Sequence, residues 1–304
     1  MMQLIENKTP APGLIANSNG FSEQGAKARE TRLIPQLYLA APVSRHPGPR
    51  NHLRAALALR YTGCMAKIYA GTSGWAYPAW KPKFYPAKLA SAKFLEYYAT
   101  RLNTVEVNYT FRHIASEKTL GNWVAATPEG FRFSIKAHQR ITHIKRLRDA
   151  AEETKGFLGS LEPLAHAGKL GMVLFQLPPY LKADAALLAG FLDGLPRAWR
   201  FAFEFRHESW FAENIFDILR AHGAALCVAE SEKIESPDVA TADFCYYRLR
   251  KEEYSPKERK EIAQRVGKHL KEKRDVFVYF KHEETPEGAL YAAELVTALG
   301  GKAS

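Results

Sequence analysis

The stretch "RFAFEFR", residues 200–206, places a phenylalanine at every second position. This two-residue period is typical of a β-strand, because successive side chains of a strand point to opposite faces. The three phenylalanines therefore share one face, while Glu204 and Arg206 lie on the other. A strand covered on both faces normally carries more apolar residues, so the acid and the base indicate that the second face has another purpose.

Seven more strand-like segments accompany this one. The eight predicted strands cover residues 67–71, 104–108, 131–137, 170–177, 200–206, 225–230, 244–249 and 276–282. Helical periods or helix signals cover 92–102, 116–126, 148–166, 184–193, 212–222, a short piece near Pro237, 255–273 and 286–299. Eight alternations of strand and helix predict an α/β fold with a TIM-barrel-like (β/α)8 architecture.

A doubly wound open sheet is the main alternative for this pattern. Such a sheet usually carries a glycine-rich phosphate turn after its first strand. The corresponding segment here, "AGTSGWAY" at 70–77, does not match the dinucleotide fingerprint G-x-G-x-x-G. The barrel is therefore the favoured prediction.

Residues 1–64 differ in composition from the rest of the chain. They contain six prolines and scattered Ser, Asn and Gly, without a sustained apolar period. We predict that they form a mostly disordered basic extension and that the folded domain covers residues 65–304. Met65 directly precedes the first predicted strand, so we expect translation to start there.

The chain has 43 Lys and Arg against 32 Asp and Glu, a formal net charge of +11. This excess favours anionic partners. Its three cysteines, at 64, 227 and 245, lack C-x-x-C spacing, as is typical of a reducing compartment. The sequence contains no run of eighteen apolar residues, so it predicts no membrane span. The segment "LYLAAPV" at 37–43 is too short and too far from the terminus for the apolar region of a signal peptide. We expect a cytoplasmic protein; a lipoprotein anchor at Cys64 is the disfavoured alternative.

Polar residues near the carboxyl ends of the strands are the candidates for a functional site. In a (β/α)8 barrel these ends form the mouth, and catalytic side chains lie there. The parity of "RFAFEFR" recurs in "TVEVN", where two valines share one face. The residues that this parity or a strand end assigns to the mouth are Glu106, Asn108, Lys136, Gln176, Glu204, Arg206, Arg248 and Lys281.

We predict Glu106, Glu204 and Lys136 as catalytic residues. The two carboxylates would approach each other across the mouth and transfer protons, one of them with a raised pKa. Lys136 would neutralise developing charge, whereas Arg206 and Arg248 would each grip a phosphate or carboxylate through paired hydrogen bonds. The alternative is an internal ion pair of acid and base that simply plugs the barrel.

Aromatic residues crowd the loops on the same side. The loop after the first strand carries Trp75 and Tyr77 beside Ser73, and Trp210 follows the fifth strand. We predict that the aromatic rings bind a substrate by stacking and that Ser73 also contacts it. The alternative is that the rings only cover the top of the barrel.

No cofactor is predicted. Post-strand residues that could ligate a metal are His138, His143, His207, Glu230, His282 and Glu283. They form neither H-x-H nor H-E-x-x-H, so a divalent metal is the less favoured alternative.

Several motifs together resemble one family. They are "AGTSGWAYPAWKPKFYP", "FLEYYATRLNTVEVNYTF", "FRFSIKAHQRITH", "KLGMVLFQLPPYL" and "FEFRHESWF". In order and spacing they are similar to domain of unknown function 72, also known as YecE-like, over residues 67–299. The resemblance implies a TIM-barrel-like fold but no established activity. By motif, the counterparts of the family's characteristic polar positions are Ser73, Trp75, Glu106, Asn108, Lys136, Thr142, His143, Gln176, Glu204, Arg206, Ser209, Trp210 and Arg248.

Two segments depart from the family pattern. The family tends to read R-x-H-G after the seventh strand, where this chain reads "RLRK" at 248–251. It tends to read F-N-N-D after the eighth strand, where this chain reads "FKHE" at 280–283. We therefore expect the substrate to differ from that of typical members.

The functional prediction combines the basic mouth with its two acids. We predict a hydrolase or lyase that acts on an anionic, phosphate- or carboxylate-bearing small molecule or on a nucleic-acid end, since nicotinamide and P-loop motifs are absent from the sequence. The alternative is a non-catalytic protein that binds nucleic acid or a phosphorylated ligand.

Overall fold

Eight parallel strands form one sheet. The computed structural model describes residues 65–230, 234–281 and 284–301. The strands are β1 (Ile68–Thr72), β2 (Thr104–Val107), β3 (Arg132–Lys136), β4 (Leu170–Gln176), β5 (Phe201–Glu204), β6 (Ala225–Ala229), β7 (Phe244–Leu249) and β8 (Asp275–Phe280). They follow one another in the order β1-β8-β7-β6-β5-β4-β3-β2. This order confirms the TIM-barrel-like prediction. The predictions about residues 1–64 lie outside the described residues.

Side chains close the seam between β1 and β2. Ser73 and Glu106 form an isolated parallel bridge there. The Asn103 side chain accepts a hydrogen bond from Ala70 N at 3.1 Å and donates one to Ile68 O at 2.9 Å. The Asn103 amide thus satisfies two buried backbone groups of β1 that have no partner on β2, as burial requires.

The Tyr98 hydroxyl makes a second link across this seam. It accepts a hydrogen bond from Thr72 N and donates one to Thr104 O, both at 2.9 Å. Gly71 lies between them, and a Cβ there would stand 2.0 Å from Thr104 O. The close approach of the two strands therefore requires glycine at this position.

The core has an inner and an outer part. The outer part lies between the strands and the helices and contains all three phenylalanines of the "RFAFEFR" stretch, with Phe175 and Phe203 stacked at 5.2 Å. The inner part fills the barrel with side chains that include Met172, Ala202 and Tyr246. Each large apolar side chain buried in this way contributes roughly 1.5–3 kcal/mol. The predicted parity of β5 is confirmed.

Helices alternate with the strands. They are α1 (Phe94–Ala99), α2 (Glu117–Ala125), α3 (Ala151–Gly159), α4 (Glu162–His166), α5 (Ala185–Asp193), α6 (Glu213–His222), α7 (Pro256–Lys271) and α8 (Glu287–Ala298). The Ser255 hydroxyl caps α7 and Glu258 returns the bond, forming a capping box. Within the described residues, no helix is both long and apolar enough to cross a bilayer.

Two helix predictions are wrong in detail. The segment predicted as one helix over 148–166 is two helices, α3 and α4. Pro163 has no N–H to donate to the carbonyl of Gly159, four residues earlier, so one continuous helix is disfavoured. The predicted short helix near Pro237 is absent from residues 234–240. Asp238 instead accepts a hydrogen bond from the Tyr247 hydroxyl of β7 at 2.7 Å, which holds this connection to the barrel.

Candidate functional site

Two glutamates and one arginine form a buried network at the carboxyl end of the barrel. Glu106 comes from β2, Glu204 from β5 and Arg248 from β7. Arg248 Nη2 lies 2.7 Å from Glu106 Oε1, and Arg248 Nη1 contacts Glu204 Oε2. The three residues are 0%, 1% and 3% exposed. One guanidinium thus bridges two carboxylates from opposite parts of the sheet.

Further donors surround Glu106. The Ser73 hydroxyl donates to Oε1 at 2.7 Å, and the Tyr246 hydroxyl donates to Oε2 at 2.6 Å. Asn108 Nδ2 lies 3.3 Å from Oε1. Burial opposes ionisation of Glu106, but the charge and hydrogen bonds of Arg248, together with the two hydroxyls, lower its pKa. Glu106 is therefore held as a carboxylate.

Arginines surround Glu204. Arg206 Nε donates to Oε1 at 2.9 Å, and Arg250 Nη2 lies 3.3 Å from the same oxygen. Burial again opposes ionisation, but Arg248, Arg250 and Arg206 lower the pKa of Glu204 well below its ordinary value. The expectation that one of the two glutamates carries a raised pKa is therefore wrong, because the guanidinium charges outweigh the cost of burial.

Lys136, the last residue of β3, lies beside this network. Its Nζ is 4.1 Å from the centroid of the Phe111 ring, a cation–π distance. Among the described residues, no side chain makes an ion pair or a hydrogen bond with Nζ. Burial, and then the Arg248 charge, lower the pKa of Lys136 to about 8. About a tenth of this amine is thus unprotonated at pH 7, far more than for a lysine with an ordinary pKa.

His143 packs against the same Phe111 ring as Lys136. A π-helical turn, Arg140–Ile144, follows β3 and carries it. Its ring packs edge-on against the ring of Phe111 at 4.9 Å, and its Nδ1 is 2.9 Å from the Thr142 hydroxyl. Burial, and then the Lys136 charge, lower the pKa of His143. The imidazole is therefore neutral near pH 7.

We call Glu106, Lys136, Glu204, Arg206, Arg248 and Arg250 the mouth cluster. Its outer arginines, Arg206 and Arg250, are accessible, with side chains that are 33% and 21% exposed. Three guanidiniums face two carboxylates, which leaves a surplus of one positive charge before Lys136 is counted. The cluster thus combines buried, mutually neutralised charges with an accessible basic rim.

Other predicted site residues have different surroundings. Trp210 is fully buried in the outer core, where it stacks on Phe205 at 4.5 Å and donates from Nε1 to Leu181 O at 2.8 Å. It faces away from the mouth, because the phenylalanine face of β5 points to the helices. Its predicted stacking on a substrate is incompatible with this position.

The first loop also serves the fold. The Tyr77 hydroxyl donates to Ser73 O at 2.8 Å, and Trp75 packs edge-on against Trp123 at 5.4 Å. Ser73 connects this loop to the mouth cluster, through its hydrogen bond to Glu106.

The remaining predicted residues lie at or near strand ends. Gln176 is buried and pairs in register with Glu204 on the neighbouring strand. The Lys281 side chain is exposed, and its backbone N–H donates to Leu249 O.

Sequence reasoning missed three residues that complete the site: Tyr246, Arg250 and Phe111. Tyr246 and Arg250 have the same parity as Arg248, with Tyr246 in the inner core and Arg250 just beyond the end of β7. Extending the parity rule by two positions in each direction would have found both. Phe111 lies in a short turn after β2 and carried no periodic signal.

Metal ligands do not converge in the described residues, where no group of three or more His, Cys, Asp or Glu is placed to hold an ion. Glu230 instead accepts hydrogen bonds from Arg250 N, at 2.7 Å, and from the Tyr254 hydroxyl. His207 Nδ1 accepts from Ser209 N at 3.2 Å, which caps a short turn. The predicted candidates His282 and Glu283 lie outside the described residues.

Curated relatives match parts of the chain. A protein of Bacillus subtilis named UPF0759 protein YunF is 34% identical over 188 residues, which are 57% of this chain and 64% of that protein. UPF0759 protein YecE of Escherichia coli is 31% identical over 148 residues, 48% of this chain and 51% of that protein. The matched segments thus span between half and two thirds of these relatives.

Solved structures agree with the fold. A DUF72 family protein from Thermotoga maritima has a TM-score of 0.69 and 27% identity, covering 77% of this chain and 99% of that one. A DUF72 family protein from Enterococcus faecalis has a TM-score of 0.67 and 19% identity, covering 77% and 95%. The family described as "Protein of unknown function DUF72" matches residues 69–304. The chain therefore belongs to the DUF72 family.

Proposed function

We propose that the mouth of the barrel binds a small anionic molecule and that the protein is an enzyme of the hydrolase or lyase type. The observation that supports this proposal is the charge balance of the mouth cluster, in which three arginines face two carboxylates and the two most outward arginines, Arg206 and Arg250, are partly exposed. Guanidiniums at such a site bind phosphate or carboxylate through paired, charge-assisted hydrogen bonds.

The structure favours different roles from those predicted for the acidic residues. Glu106 and Glu204 accept hydrogen bonds from strong donors and have lowered pKa values, so they are poor proton donors near neutral pH. Their role is to fix Arg248 and orient the outer arginines. Lys136, with its pKa lowered to about 8, is the group suited to accept a proton or attack an electrophile.

Calorimetric titration with inorganic phosphate and with small carboxylates tests the anion site. The double variant Arg206→Gln/Arg250→Gln should bind the probe at least about tenfold more weakly, because it loses two charge-assisted contacts worth roughly 1.5–3 kcal/mol each. Arg220→Gln is the matched control. That arginine is exposed and, within the described residues, forms ion pairs with Glu213 and Asp217 of its own helix. Equal binding by the double variant and the control would contradict the proposal.

A second candidate is non-catalytic binding of nucleic acid. Tyr109 and Tyr180, which follow β2 and β4, are 53% and 63% exposed and could stack on bases beside the basic rim. Affinity for a single-stranded oligonucleotide should then fall steeply with salt and fall further in Tyr109→Ala/Tyr180→Ala. A flat salt dependence would remove this candidate.

A further inference from the structure

The position of Lys136 relative to its charged neighbours is specific. Two carboxylates lie in the same cluster, yet neither forms an ion pair with Nζ. Glu106 pairs with Arg248 and accepts hydrogen bonds from Tyr246 and Ser73. Glu204 pairs with three arginines. The carboxylates influence the amine only at longer range, so they do not hold its proton.

The aromatic contact adds a second observation. Lys136 Nζ lies over the Phe111 ring, and the His143 ring packs against the same phenylalanine. A half-buried amine, an apolar surface and a neutral imidazole therefore meet at the end of β3. Amines of this kind, desolvated and near other cations, form imines with carbonyl substrates.

We propose that Lys136 forms an imine with an anionic carbonyl compound, a 2-oxo carboxylate or an aldehyde that bears a carboxylate or phosphate. This inference rests on the proposed anion site, because Arg206 and Arg250 would hold the negative group while the carbonyl carbon faces Nζ. The lowered pKa of the amine supports it independently.

The chemistry balances without a further reactant. The lone pair of the free amine attacks the carbonyl carbon, the C–N bond forms, and the carbonyl π pair moves to oxygen. That oxygen takes the proton that the nitrogen loses, which gives a carbinolamine. The carbinolamine then loses its hydroxyl group and the last proton on nitrogen as water, leaving the C=N bond. The neutral imidazole of His143, which packs against the same Phe111 ring as Lys136, is the group we assign to carry the proton from nitrogen to oxygen.

Reductive trapping tests this inference on the full chain. The protein is incubated near neutral pH with glyoxylate, an anionic aldehyde, and cyanoborohydride, and peptide mass mapping locates the N-carboxymethyl groups. Exposed Lys257 is the internal control. At neutral pH an amine with a pKa of about 8 has roughly 300-fold more free base than one at 10.5, so Lys136 should be labelled at least tenfold faster than Lys257.

Variants and a second probe separate the possible outcomes. Lys136→Met should lose the fast label, and Arg206→Gln/Arg250→Gln should slow it at least tenfold. Glycolaldehyde, a neutral aldehyde, should label Lys136 more slowly than glyoxylate. If both aldehydes label Lys136 equally and the double variant has no effect, the anionic substrate class is overturned along with the anion site. If phosphate binds by calorimetry but Lys136 is labelled no faster than Lys257, the imine is overturned while the proposed anion site stands.

Discussion

Arg248 on β7 joins Glu106 on β2 through a contact of 2.7 Å between Nη2 and Oε1, in a part of the barrel where both side chains are buried. The same guanidinium also binds Glu204 on β5. One side chain thus connects three strands that are not neighbours in the sheet. Arg248 therefore stabilises the barrel and also forms the floor of the mouth.

Replacing Arg248 by Met should destabilise the protein by about 3–5 kcal/mol, because two buried carboxylates lose their shared partner. Urea denaturation monitored by circular dichroism measures the change. Arg220→Gln, on the surface of α6, should leave the free energy of unfolding nearly unchanged. A loss for Arg248→Met no greater than for this control would contradict the structural role.

Stability should fall as the pH drops below about 4.5. The pKa values of Glu106 and Glu204 are lowered in the folded protein from an ordinary value of 4.5. The stabilisation that these two carboxylates give the folded protein is therefore fully present above pH 4.5. It is lost progressively as the pH falls toward their lower folded-state pKa values, because in this range the unfolded chain binds more protons than the folded one. Urea titrations between pH 7 and pH 3 measure this slope.

Glu106→Gln provides the comparison for the pH series. The variant removes one carboxylate with a lowered pKa, so its stability should depend less steeply on pH in the acid range than that of the unmodified protein. Identical slopes would show that Glu106 does not carry the effect.

The reactivity of Lys136 should increase with pH around a midpoint of about 8. Below that value the ammonium form, which cannot attack an electrophile, predominates. Acetylation rates measured by peptide mass mapping from pH 6 to pH 11 would report this midpoint, with Lys257 as the exposed reference. Arg206→Gln should raise the midpoint, since the Arg206 charge is one of the causes that lower it. A midpoint for Lys136 above 10 would contradict the description of the site.

Tyr98→Phe should cost about 1–3 kcal/mol, because it removes the hydroxyl that serves Thr72 N and Thr104 O in the seam and leaves two buried backbone groups unsatisfied. Tyr97→Phe, on the same helix, is the matched control. Within the described residues, the Tyr97 hydroxyl accepts a hydrogen bond from Arg101 at an exposed position and bonds to no strand. Thermal or urea unfolding compares the two variants. Equal losses would show that the seam does not depend on the Tyr98 hydroxyl.

The sequence predicted the barrel well, because strand parity is a local property. Phenylalanines at alternate positions of β5 and valines at alternate positions of β2 already separated an apolar face from a polar one. Parity assigned Glu106, Glu204 and Arg206 to one end of the sheet, the strand end assigned Arg248, and the structure brings these four together. The short helix near Pro237 was predicted wrongly, since Asp238 contacts Tyr247 of β7 and His269 of α7, and these tertiary contacts leave no trace in the local pattern.

The chemistry of the site was decided by the tertiary structure. A pKa depends on which charges a fold places around a group, and Arg250 and Tyr246, neither of which had been predicted, lie against the glutamates. They help to hold both acids as carboxylates and leave the Lys136 amine without an acidic partner among the described residues. Residue types and their alternation, which are local, thus determined that acids and bases meet at the mouth. Only the packing of distant strands decided which of them keeps its proton.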